Sequence, residues 1–85
     1  MTYKIKTTDK FEERFEKLTK KLAEMFAKFI LKLNQNPYVG KPLSYDLKGF
    51  WSLPIAGKWR IIYETKKLIV LRSIGHRKSI YTYFH

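Results

Sequence analysis

Between Trp51 and His85 the chain carries strand-like apolar runs set with Lys58, Arg60, Arg72, His76, Arg77 and Lys78, and it closes on Tyr81, Tyr83 and His85. Cations fixed on a sheet beside an imidazole and phenols are the parts needed to hold and cut a phosphodiester. The RNA chemistry that fits is internal transfer by the 2′-hydroxyl. A base removes its proton, cations stabilise the pentavalent phosphorane, and an acid protonates the departing 5′-oxygen. A positioned acid or base contributes about 10²–10⁴-fold to such a step. Arg60 and Arg77 could clamp the non-bridging oxygens bidentately. Histidine is the side chain that titrates nearest neutrality, which brings in His76. Tyr81 or Tyr83 could serve as acid or base where neighbouring cations depress a phenol's pKa. Lys48, Lys58, Arg72 and Lys78 complete a candidate RNA-binding surface.

Plainer roles compete for each residue. Arg60 could be a surface cation paired with Glu64 or Asp46, and exposed pairs of that kind contribute little. Arg72 could snorkel at the sheet edge, and Tyr81, Tyr83 and Phe84 could anchor the C-terminus. Phe50, Trp51 and Trp59 could stack on bases, but core packing is the commoner fate of an aromatic.

Net charge sharpens the picture. The chain of 85 residues carries +11, and its distribution is uneven. Residues 1–39 hold nine basic and five acidic side chains, whereas residues 40–85 hold nine basic against Asp46 and Glu64 alone. The half that carries the candidate site is thus poorly compensated, which points to a polyanionic partner, either nucleic acid or an acidic protein. The length suits one domain, 1–85. The absence of cysteine excludes disulfides and thiolate metal sites. His76 and His85 without a carboxylate cluster make no metal site, and neither GxxxxGK[ST] nor GxGxxG occurs, so no cofactor is expected. The start MTYKIKTTDKF has no apolar core of signal-peptide length, and no apolar run approaches the ~20 residues of a membrane span. The expectation is a cytoplasmic protein.

Elements must position these side chains. Thr2–Thr7 alternates as a short strand. Asp9 is a candidate N-cap with Glu12 three residues on. Apolar residues then recur from Phe11 to Leu33 at helical spacing. One helix over 10–34 would be ~37 Å long, about three times the radius of gyration of ~12 Å expected for this length. A break near Leu18–Lys21, with Thr19 capping a second helix, folds the stripe into a helical hairpin. Pro37 ends it, and Tyr38–Gly49 reads as a loop. Strands follow at Phe50–Ile55, Lys58–Glu64 and Leu68–Gly75, the first two joined by Ala56-Gly57, and Lys78–Tyr83 closes as a helical turn. Pro54 cannot donate to a ladder, so its strand should be an edge or bulged there. The class is α+β, with a short N-terminal strand, a two-helix hairpin and a three-stranded antiparallel meander curved into one sheet. On Lys58–Glu64, alternation puts Trp59, Ile61 and Tyr63 toward the helices and Arg60 on the opposite face.

Several segments together resemble the RelE/ParE toxin superfamily, specifically its RelE-like messenger-RNA-cleaving branch. They are Asn36-Pro37-Tyr38 with Gly40-Lys41-Pro42-Leu43, then Leu47-Lys48-Gly49, Trp59-Arg60-Ile61-Ile62-Tyr63, and Ile74-Gly75-His76-Arg77 leading to Tyr81. The resemblance implies a toxin that cuts messenger RNA in the ribosomal A site without a metal. It also implies a RelB-like acidic, helical antitoxin that wraps the toxin in a hetero-oligomer. By position, Arg60 and Arg77 fall on the family's phosphate-contacting arginines, and the C-terminal tyrosine falls on Tyr81, or on Tyr83 in longer-spaced relatives. Histidine at the position of His76 occurs widely in the branch. One departure stands out: relatives usually place one or more basic residues on the strand before the turn, where this chain has Leu53-Pro54-Ile55. Lys48 or Lys58 would have to substitute. Two other outcomes therefore stay open, a ParE-like inhibitor of DNA gyrase on the same fold, and a degenerate member that keeps only antitoxin binding.

Overall fold

Thr8 joins sheet to helix. In the computed structural model, which describes residues 3–80, strand β1 (Ile5–Thr7) runs into helix α1 (Asp9–Glu16) at this residue. Its hydroxyl accepts from the Phe11 amide at 3.2 Å and lies 3.2 Å from the Arg72 carbonyl, to which it donates. The N-cap is therefore Thr8 and not Asp9. Asp9 and Glu12 sit one step inside, in the first turn, where carboxylates favour the positive end of the helix dipole. The chain then breaks at Lys17–Thr19, and Thr19 caps α2 (Lys20–Gln35) by accepting from the Leu22 amide. The hairpin expected from the apolar stripe is present, and the radius of gyration is 11.9 Å. At the far end of α2, Asn34 and Tyr3 exchange hydrogen bonds, the Asn34 amide donating to the Tyr3 carbonyl and the Tyr3 N–H to the Asn34 carbonyl.

The sheet has five strands in the order β1-β5-β4-β3-β2, where β2 is Lys41–Pro42, β3 Phe50–Ile55, β4 Trp59–Thr65 and β5 Ile69–His76. The last three form the expected meander, and β1 joins β5 in parallel. The segment 38–49 is more than a loop. It contributes β2, which pairs Lys41 with Ser52 and Pro42 with Trp51, and a 3₁₀ turn at Tyr45–Leu47. Two residues flanked by glycine and proline are too short for any periodic signal, which is why the sequence does not reveal this strand.

Of the two outcomes expected at Pro54, an edge or a bulge, the edge is found. Pairing of β3 with β2 ends at Ser52, so the nitrogen of Pro54 faces no partner strand and β3 behaves as an edge there. The bulge is in β5. Ile62 faces Ser73 while Tyr63 faces Leu71, leaving Arg72 as the extra residue. That single insertion changes the parity of β5, so Ile69 and Leu71 before it and Ile74 after it all reach the helix-side core. Arg72 itself turns to the other face, 3.5 Å from Glu64 and over the Phe50 ring.

The helix-side core contains Phe11, Phe26 and Leu33 from the helices against Leu53, Ile55, Ile61 and Tyr63 of the sheet. A second, smaller core lies on the opposite face, where Ile62 and Ile80 are buried with Leu43, Leu47 and Phe50 around them. Alternation alone would leave Ile62 on a ligand-facing surface. Instead the chain after β5 folds back and covers it.

The stretch Pro37–Gly40 is held by one phenol. The Tyr63 hydroxyl donates to the Pro37 carbonyl at 2.8 Å and accepts from the Gly40 N–H at 3.1 Å. A Cβ on residue 40 would lie 2.6 Å from that oxygen and 2.7 Å from the Ser52 carbonyl, so only glycine allows the approach. Burial pushes the Tyr63 phenol above its ordinary value of 10.0, against a smaller lowering by the Gly40 hydrogen bond. The folded state thus keeps its proton at a pH where the unfolded chain releases it. Tyr63 stabilises the fold below pH ~10 and that contribution is lost as pH rises beyond it. We expect Tyr63→Phe to cost about 1–2 kcal/mol at neutral pH by urea denaturation, because two backbone groups lose their partner. The same variant should lose less stability than wild type between pH 9 and 11. Equal alkaline slopes would show that this phenol is not the group responsible.

Candidate functional site

Cross-strand pairing builds the sheet face opposite the helices. One row runs Lys41, Ser52, Ile62, Ser73, and the next runs Pro54, Arg60, Gly75. Residues directly opposite share a face, so Lys41 and Arg60 project to the same side. With it they line a cleft of about 230 Å³, together with Pro42, Leu43, Ser52 and Pro54. Gly75, opposite Arg60, brings no side chain to this face. Ile62, two residues along β4 on this face, is fully buried, which fixes the strand from which Arg60 rises.

Arg60 Nη1 is buried and has no hydrogen-bond acceptor among the described residues. The surface pairing that competed for this arginine does not form through Glu64, whose carboxylate is held by Arg72. A guanidinium nitrogen withdrawn from water without an acceptor carries a desolvation cost that an arriving oxyanion would remove. Ser73, on the same face, has a buried hydroxyl also lacking a partner among the described residues. Neutral Pro54 lies directly opposite Arg60, so β3 places no charge in the cleft.

His76 faces the other way. It pairs with Trp59, whose ring belongs to the helix-side core, and the two rings meet edge-on at 6.2 Å. Its Nδ1 accepts from the Lys78 N–H at 3.2 Å, which leaves the proton of the neutral ring on Nε2. With Arg14, Lys17, Leu18 and Ser79 it lines a separate groove beside the helical hairpin. The sheet therefore stands between His76 and Arg60.

The remaining candidates spread around these two sites. The Arg77 N–H donates to the Lys58 carbonyl at 2.7 Å, which sets its backbone two residues from Arg60 at the end of the sheet, with its side chain exposed. Lys58 and Lys78 are exposed in the flanking turns, and Lys48 is exposed after the 3₁₀ turn. None of these three lines the cleft. Tyr81 and Tyr83 lie outside the described residues; their chain neighbour Ile80 is fully buried in the cluster of Ile62. Trp51 stacks on Tyr63 and Trp59 packs edge-on to Phe26, so both serve the core, and Phe50 borders the second one. Sequence reasoning missed Lys41. Its signal was its place in Gly40-Lys41-Pro42, but its face is decided by β2, which the sequence does not announce.

The family described as ParE toxin of type II toxin-antitoxin system, parDE, matches residues 5–81. No curated protein is significantly similar in sequence. Among solved structures, a chain of the toxin–antitoxin complex RelBE2 from Mycobacterium tuberculosis superposes with a TM-score of 0.82 at 26% identity, covering 91% of this chain and 100% of that one. The isolated RelE toxin of E. coli has the same fold at a TM-score of 0.74 and 16% identity, covering 94% of this chain and 92% of that one. A chain of the archaeal RelE–RelB complex from Pyrococcus horikoshii does so at 0.69 and 22% identity, covering 91% and 97%. The match over nearly the whole chain, on a sheet of this topology, places the protein in the ParE toxin family of type II toxin–antitoxin systems, within the RelE/ParE superfamily.

Proposed function

We propose that this toxin inhibits translation as a ribosome-dependent, metal-independent endoribonuclease that cuts messenger RNA by 2′-hydroxyl attack on the adjacent phosphate. The observation that carries the reading is Arg60, with a buried nitrogen lacking an acceptor among the described residues, in a cleft on the sheet face away from the helices. Its guanidinium would hold the non-bridging oxygens as charge develops on the phosphorane, an effect strongest in a site withdrawn from water. Arg77 would reach the same phosphate from the turn after β5. Tyr81, one residue beyond the buried Ile80, is the acid or base of choice, with Tyr83 the alternative. His76, on the opposite face, is better suited to fixing the turn that presents Arg77 than to proton transfer. The ribosome and its messenger are the polyanionic partners the +11 charge anticipates, and an acidic RelB-like antitoxin would cover the same surface.

A second reading rests on Pro54. The cation expected on β3 is absent, and the matched family is described by the ParE toxin. A toxin without RNA chemistry that inhibits DNA gyrase would tolerate that loss.

Purified ribosomes programmed with a defined messenger separate these. Wild type should cut in the A site, and Arg60→Ala and Arg77→Ala should each slow cleavage about 10²-fold or more. Absence of cleavage by wild type, or equal cleavage by the variants, would contradict the proposal; inhibition of gyrase supercoiling at sub-micromolar protein would then support the second reading. His76 provides a separate check. Asparagine can accept the same i+2 amide with its side-chain oxygen, so His76→Asn should keep more stability than His76→Ala, which should lose about 1 kcal/mol. Both should cut RNA within about tenfold of wild type. A loss as large as that of Arg60→Ala would return His76 to the chemistry.

A further inference from the structure

The cleft contains a cation at a place where β3 has none. We infer that Lys41 on β2 supplies the charge missing at Pro54, forming with Arg60 a two-sided clamp for one RNA phosphate. The inference rests on the endoribonuclease reading but is tested separately from it.

Register, cleft lining and burial together support the clamp. Lys41 pairs with Ser52 and Arg60 with Pro54, so both lie on one face two residues apart along β3. Strands about 4.8 Å apart and about 3.4 Å per residue put their Cα atoms roughly 12 Å from each other, within reach of two long side chains leaning toward a group between them. Both line the same 230 Å³ cleft, whose other walls are the uncharged Pro42, Leu43, Ser52 and Pro54. Arg60 already lacks an acceptor for one nitrogen among the described residues. Lys41 is exposed while Arg60 is half-buried, so the pair spans the cleft from rim to floor. A compact ammonium at the rim and a planar fork at the floor suit one phosphate held by two non-bridging oxygens. Position is secured from behind: Gly40, next to Lys41, is held by the Tyr63 hydroxyl, and the Leu43 N–H donates to the Phe50 carbonyl at 2.9 Å. A cation on β2 therefore substitutes for one on β3 without lengthening either strand.

The test uses a 2′-O-methyl RNA oligonucleotide, which cannot be cut, in fluorescence anisotropy across a salt series, alongside the ribosome assay. Lys41→Ala should lower the slope of log K against log[salt] by about 0.7, one phosphate contact on a single strand, and slow cleavage about 10²-fold. Adding Pro54→Arg to Lys41→Ala should recover at least about tenfold in cleavage rate where wild type is active. Gln35→Arg, which restores charge at the far end of α2, should recover neither cleavage nor the slope. An unchanged salt slope in Lys41→Ala overturns the clamp whatever the cleavage result, as does rescue by Gln35→Arg equal to that by Pro54→Arg. If wild type fails to cut RNA while Lys41→Ala still loses the slope and Pro54→Arg restores it, the clamp stands and the nuclease reading falls.

Discussion

The structure depends on β4 being covered on both faces. Trp59, Ile61 and Tyr63 enter the helix-side core, while Ile62 is sealed by Ile80 and its neighbours on the other side. A strand anchored in two cores cannot shift register without exposing one of them. Arg60 is held in place for that reason, with Ile61 and Ile62 following it as fully buried residues. The guanidinium inherits the rigidity of the strand, and preorganised cations at a developing charge are what a phosphoryl-transfer site requires. Burial of an arginine nitrogen with no acceptor among the described residues is a cost to folding that an arriving oxyanion would offset.

Two small devices bring other segments to this strand. The bulge at Arg72 lets β5 present apolar residues to the helices at both of its ends and sends one arginine to the opposite face, where it occupies Glu64. The carboxylate of β4 thus pairs with Arg72 rather than with Arg60. The Tyr63 hydroxyl then ties Pro37 and Gly40 to the sheet and sets the path of β2. The conspicuous string from Asn36 to Leu43 is thus a positioning loop, and Lys41 projects from it into the cleft.

Much of this was legible in the residues. The apolar stripe from Phe11 to Leu33, broken at Thr19, gave the helical hairpin, and alternation on β4 separated Arg60 from Trp59, Ile61 and Tyr63. What escaped has physical causes. Thr8 outcompeted Asp9 as the cap because its hydroxyl also bonds to β5, a contact invisible in local sequence. The bulge leaves no mark, since Leu71, Arg72 and Ser73 would suit a regular strand equally well. His76 looked like part of the cationic patch because it is adjacent to Arg77 in sequence, yet one residue of a strand changes its face. Lys41 was overlooked because β2 is stabilised by tertiary pairing rather than by its own pattern.

The proposed phosphate site lies on the face of Arg60 and not on that of His76. Side-chain ¹⁵N NMR during titration with a 2′-O-methyl dinucleotide tests it most directly. The Arg60 guanidinium resonance should move with saturation while the His76 ring and the Arg14 guanidinium stay in place. Movement of His76 and Arg14 with Arg60 unchanged would contradict that placement and put the site in the groove beside the helices.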